Sequence, residues 1–295
     1  MKRIFSLLLA LALLSGCGSP APAEPEVSPD EPLDEEEIFS LPETCPPEPL
    51  SAPAVITEGR TPSEDYALPA PSSHVKWNDF QNNMRYWATH PAIEILAQAE
   101  DAVFYALPLY ANGFGGVALI RWGESLAEFD WTFCPGPNLS PPRMDCSDVD
   151  DDGEKELVIV CHLGSGTGVS KEELHILEKN PDGTLTDHAF PENLWHTQLP
   201  TLFHAARTQG RTFALLGREL VEVKKEPVVN LEAPTSGAIA HFSMYEWGGL
   251  RFQGVFALRY ENGELPCYVA ETSAEILYEN GMFTLQDFHL YSYDQ

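Results

Sequence analysis

Met144-Asp-Cys-Ser-Asp-Val-Asp-Asp-Asp-Gly-Glu-Lys-Glu-Leu-Val-Ile-Val-Cys161 passes from an acidic turn straight into an apolar, β-branched run. Carboxylates stand on alternate positions at Asp148, Asp150 and Asp152, Gly153 follows, and Glu156 closes the group. A hard cation such as Ca²⁺ takes about six to eight oxygens, and alternate residues of a tight loop can turn theirs inward. Gly153 permits the sharp turn that lets Glu154 offer its backbone carbonyl. Without a cation, the acids between Asp148 and Glu156 repel one another across one short loop. Leu157–Leu163, the run that follows, has the length and composition of a buried strand. The stretch therefore predicts a loop-and-strand unit in a mainly β domain.

Asp-x-Asp-x-Asp-Gly-x-x-Glu leading into Leu-Val-Ile-Val resembles the calcium loop of the FG-GAP/VCBS-type repeats of integrin-like β-propellers and bacterial surface proteins. The resemblance covers about residues 144–180. It implies Ca²⁺ as the cofactor, Asp148, Asp150, Asp152 and Glu156 as side-chain ligands, and Glu154 as a backbone ligand. Two departures stand out: there is one such loop where a full propeller repeats it, and Asp151 is acidic where many such loops are neutral or basic. An EF-hand begins in the same way but needs a bidentate Glu at its twelfth position and flanking helices. Here that position is Ile159, inside the strand-like run. The plain alternative is a solvated turn whose Asp side chains cap their own backbone.

The two ends of the chain read differently. Met1-Lys2-Arg3 is a basic start, Ile4 to Leu14 is apolar but too short to span a bilayer, and Leu14-Ser-Gly-Cys17 resembles a bacterial lipobox. Residues 1–17 are thus expected to be a lipoprotein signal peptide with Cys17 as the lipidated residue, anchoring the protein on the extracytoplasmic face of the cell membrane. Residues 18–75 hold thirteen of the 25 prolines and carry a charge balance of −12. Low hydrophobicity with that charge predicts a disordered, self-repelling stalk. Residues 76–295 remain as the folded domain. The net charge of −28 argues against nucleic acid as a partner.

The folded part is punctuated by hairpin signals. Glu172–Glu178 and Thr184–Phe190 flank Pro181-Asp-Gly183, Ala238–Trp247 and Leu250–Tyr260 flank Gly248-Gly249, and Asn262-Gly263 and Asn280-Gly281 follow. Leu250, Phe252, Phe256, Leu258 and Tyr260 alternate with Arg251, Gln253 and Arg259, the signature of a half-buried antiparallel sheet. Pro191 to Ala206 is ambiguous, with Leu194, Leu199 and Leu202 marking a short helix. The expected fold is mainly β: an antiparallel hairpin meander, either an incomplete β-propeller or a curled sandwich, after the stalk.

Other chemistry is weaker. Gly164-Ser-Gly-Thr-Gly168 satisfies neither a phosphate-loop nor a nucleophile-elbow pattern and reads as a flexible loop beside the metal turn. Nine histidines show no metal-binding spacing, so His162 is expected to be structural. Tyr245 and Trp247 share a strand face with His241. Cys134 and Cys146 bracket a proline-rich turn compatible with a disulfide, whereas Cys161 reads as a buried apolar residue. Two functions fit: a Ca²⁺-stabilised, lipid-anchored module binding an envelope protein or glycan, or an envelope hydrolase or its inhibitor with an unidentified active site.

Overall fold

The apolar run after the acidic turn is a strand buried on both faces, and the rest of the domain is layered around it. The computed structural model describes residues 46–62, 66–71, 93–106, 117–131, 133, 141–224, 230–245, 249–259 and 267–293. Seventeen strands in three sheets make up nearly all of the regular structure described. In chain order they are β1 (Leu50–Pro53), β2 (Val55–Glu58), β3 (Glu94–Ala99), β4 (Ala102–Ala106), β5 (Ala118–Trp122), β6 (Ser125–Phe129), β7 (Arg143–Ser147), β8 (Glu156–Gly166), β9 (Val169–Lys179) and β10 (Leu185–Ala189). A π-helical turn (Leu194–Gln198) and a 3₁₀ turn (Leu199–Leu202) follow. The remaining strands are β11 (Phe203–Thr208), β12 (Arg211–Leu216), β13 (Glu219–Glu222), β14 (Asn230–Met244), β15 (Leu250–Arg259), β16 (Cys267–Glu279) and β17 (Met282–Ser292).

Alternation in β8 explains its composition. Val158 and Val160 point into a large core with Phe242, Phe252, Phe256 and Phe283, while Leu157, Ile159 and Cys161 point into a second core with Phe104, Phe129 and Trp131. A strand covered on both sides has no place for a polar face, so its covered stretch Leu157–Cys161 is apolar at every position. The second core is supplied by the four-stranded meander β3-β4-β5-β6. The large core lies under β14 to β17 and also takes side chains from the three-stranded sheet β11-β12-β13. Leu250, Phe252, Phe256 and Leu258 are buried there, as their alternation predicts, and each fully buried Phe contributes about 1.5–3 kcal/mol.

The ten-stranded sheet curls almost into a closed barrel, which answers the choice left open between a propeller and a curled sheet. Along the edge of β9 not used by β8, β10 takes the second half and β14 a short parallel stretch at Ser170–Lys171. From β14 the order runs β15, β16, β17 and β1. Only Ala54 separates β1, which pairs with β17, from β2, which pairs with β10. One extended segment thus bridges the two margins of the sheet.

That segment corrects the expected stalk boundary at residue 75. Leu50–Glu58 is strand, and Gly59 and Arg60 continue against Leu185 and Glu128 through backbone hydrogen bonds of 2.8–3.0 Å. Its side chains gave no sign of this because Ala52 is the only one from Leu50 to Glu58 that is buried. Backbone pairing, not apolar periodicity, holds it. Residues 18–45 of the expected stalk, and Cys17 as the expected lipidation site, lie outside the described residues.

Two further findings concern loops and cysteines. Gly164 and Gly166 belong to β8, and the connection to β9 is the tight turn Thr167-Gly168, with Gly168 at φ +71°. This is a hairpin rather than a flexible loop. Cys146 is a free, buried thiol whose Sγ donates to the Ala99 carbonyl at 3.6 Å. It pairs with no cysteine among the described residues, and Cys134, its expected partner, lies outside them. Burial, reinforced by Glu100, Asp101 and Asp145, pushes the Cys146 thiol up to about 12.

Candidate metal centre

The acidic turn is the connection of the β7–β8 hairpin, closed by the Ser147–Glu156 pair. Asp151 at φ +59° and Gly153 at φ +94° supply the left-handed residues that fold it back on itself. Glycine accepts that conformation freely and aspartate more readily than most residues. Val149 packs against the large core, and its N–H donates to Glu156 Oε2 at 2.9 Å. The loop is thereby pinned at its middle and its end.

Three of the expected ligands converge. Carboxylate oxygens of Asp148, Asp150 and Glu156 lie within 4.8 Å of one another. Asp152 is not in that group; its Oδ1 accepts the Glu154 N–H at 2.8 Å. Glu154 is exposed, and Asp151 stays outside the cluster with its side chain in solvent. Asp148 also accepts the N–H groups of Asp152 and Gly153 at 3.1 and 3.0 Å, so the backbone offsets part of its charge.

Glu156 is the group most affected by this placement. It is 5% exposed, and burial, reinforced by Asp150, Asp152 and Asp148, raises its pKa to about 7 despite the Val149 hydrogen bond. Asp150 is also raised, by burial first and then by its acidic neighbours and Glu178. The donors are all hard oxygens with no competing nitrogen or sulfur, as Ca²⁺ prefers. A carboxylate pushed toward neutrality by burial first and like charges second is a site where a cation would be favoured.

A second charged cluster had no signature in the sequence. His175 of β9 donates from Nδ1 to Asp187 Oδ2 of β10 at 2.9 Å, and Trp131 Nε1 donates to the same oxygen at 2.8 Å. The Trp131 and His175 rings stack at 3.9 Å. Burial alone would lower the pKa of His175. Asp187, through charge and hydrogen bond, and Glu173 outweigh it and raise the value to about 9. Both partners are almost fully buried, at 2% exposure each, so the pair is structural rather than open to a substrate.

Histidines scattered in sequence also gather where β9 meets β14. His241 Nε2 lies 2.8 Å from Ser170 Oγ, and His196 Nδ1 lies 3.0 Å from Ser236 Oγ. Lys171 Nζ approaches His196 Nε2 at 3.5 Å. Among the described residues, neither imidazole carries the carboxylate that completes a nucleophilic triad. His162 Nε2 is buried without a hydrogen-bond partner, and burial lowers its pKa. Trp247 lies outside the described residues, while Tyr245 stacks under Arg251.

A family model, the prokaryotic membrane lipoprotein lipid attachment site, matches residues 1–17. The chain therefore carries a lipoprotein attachment site ending at Cys17, and with it a membrane anchor. The match ends there and includes none of the loop at 148–156. No curated protein and no solved structure matches the chain.

Proposed function

We propose that the protein is a module displayed on the extracytoplasmic face of a bacterial membrane through lipidated Cys17, with a β domain stabilised by Ca²⁺ that binds a ligand or partner of the cell envelope. The convergence of Asp148, Asp150 and buried Glu156 beside a lipoprotein attachment site carries this reading. Asp148, Asp150 and Glu156 would hold the ion, with Asp152 and the Glu154 carbonyl completing the set that the integrin-like resemblance implies. Bound Ca²⁺ supplies positive charge where the chain concentrates negative charge. The residues themselves clamp the β7–β8 hairpin, with Val149 seated in the core and Glu156 at the head of β8.

Melting curves of the soluble domain in EDTA and in millimolar Ca²⁺ test the metal reading, and a curve that ignores calcium overturns it. Cys17→Ser tests the anchor: the variant leaves the membrane fraction and loses incorporation of labelled fatty acid. A second reading, hydrolysis of an envelope substrate, has the Ser170–His241 hydrogen bond in its favour. Ester and peptide substrates offered to wild type and Ser170→Ala, with and without EDTA, separate the two.

A further inference from the structure

At the end of β15 to β17 opens a cleft of about 570 Å³, and its charged groups are placed unusually for so acidic a protein. Arg251 faces Glu275 directly across the β15–β16 ladder, yet the two form no ion pair. Glu275 instead accepts from Gln286 Nε2 at 3.3 Å, and the Arg251 guanidinium stands 5.8 Å over the Tyr245 ring. No carboxylate among the described residues lies within ion-pair distance of Arg251, whereas Arg60, Arg143 and Arg211 each hold one. On β17, Asp287 sits at the register shift opposite Ser273–Glu275 with φ +48°, exposed and without a hydrogen-bond partner among the described residues. Positive φ outside glycine is sparsely populated and gathers at ligand sites. Phe288 and Tyr245 add aromatic wall to the same cleft.

We infer that this cleft binds a short peptide with both ends free, Arg251 taking the carboxylate and Asp287 the ammonium group. This rests on the ligand-binding reading above and names the ligand's chemistry. A guanidinium fork with an aromatic ring beneath it and no carboxylate partner among the described residues suits a carboxylate. β15 and β17 are two strands apart, about 10 Å, which an extended peptide spans with about three residues. The volume falls in the range of small-ligand sites, about 300–1,000 Å³. Net charge narrows the class further. A chain at −28 repels an anionic ligand, and an arginine with no ion pair among the described residues repels a cationic one locally, whereas a zwitterion presents each group with its opposite.

Calorimetric titration of the detergent-solubilised full chain, in millimolar Ca²⁺ and in EDTA, with the tripeptide Ala-Phe-Ala tests the inference. Its C-terminal amide and its N-acetyl form are each expected to bind about tenfold more weakly than the free peptide. Arg251→Gln should lose that factor for the free peptide and become indifferent to the amide. Asp287→Asn, which keeps a side chain tolerant of positive φ, should become indifferent to the acetyl group. Binding that is the same in both variants places the peptide elsewhere and overturns the cleft assignment, while leaving ligand binding intact. Absence of any binding to wild type overturns the peptide class, and the calcium and fractionation tests judge the wider reading separately.

Discussion

Glu156 and His175 are both buried titratable groups with raised pKa values, and they are raised for opposite reasons. His175 is held as a cation because Asp187 lies 2.9 Å away. Glu156 is pushed toward its neutral form because burial and three aspartates oppose its charge. One is a carboxylate–imidazole pair and the other a carboxylate among carboxylates. A single exchange should therefore act inversely on the two: removing a charge damages the first, and adding one improves the second.

The largest effect is expected at the carboxylate–imidazole pair. Asp187→Ala leaves buried His175 under Trp131 with Glu173, 3.5 Å from its Nε2, as the remaining carboxylate, and should cost about 3 kcal/mol in urea denaturation. It should also flatten a pH dependence. Because the folded pKa of His175 is raised to about 9 from 6.5, its contribution is complete below pH 6.5 and is lost as pH climbs through 9. A wild type equally stable at pH 6 and 9 would break the comparison from this side.

Glu156 gives the next effect, in a lower window. Its folded pKa of about 7 lies above the ordinary 4.5, so calcium-free protein should lose stability as pH rises from 4.5 through 7, by no more than about 3 kcal/mol. In saturating Ca²⁺ the loss should vanish, since the cation favours the ionised form. Glu156→Gln should remove the pH dependence in EDTA. Urea titrations at pH 5 and 8, with and without calcium, decide it.

Smaller still is the calcium shift at neutral pH. Extracellular calcium modules have dissociation constants of about 10⁻⁴–10⁻³ M, and a tenfold excess over that constant stabilises by about 1.4 kcal/mol. For a domain of this size that corresponds to about 3–6 °C in Tm. Asp150→Ala should abolish the shift and slightly raise calcium-free stability. Asp151→Asn should leave the shift unchanged, because that side chain stays outside the cluster; its loss would show that the ligand register is misassigned.

The same two regions show what can be read from a sequence. The acidic loop was legible because its carboxylates lie within nine residues and because Leu157–Cys161 of β8, buried on both faces, is apolar throughout. The exclusion of Asp152 from the carboxylate cluster was not legible: it depends on a local bond to the Glu154 N–H. His175, Asp187 and Trp131 are brought together by strand pairing and sheet packing across a separation of up to 56 residues, and no spacing encodes that. Cation and carboxylate of the proposed peptide cleft are likewise joined only by the ladders of β15, β16 and β17. The meander itself followed from turn chemistry, with Asn280-Gly281 at φ +52° and +73° closing the β16–β17 hairpin as expected. Proline content misled at Leu50–Glu58, where composition pointed to a stalk and backbone pairing made a strand.

That strand has a mechanical consequence. The membrane attachment site precedes it in the chain, so a pull from the anchor reaches the Leu50–Leu285 pair before any other part of the described sheet. With Ala52 its only buried side chain, the segment resists tension through its backbone hydrogen bonds, and peeling it away exposes the margins of β17 and β10 together. A load applied at the far end of the chain would instead fall on β17, inside the large core. The domain is thus built to yield first on the side from which its tether pulls.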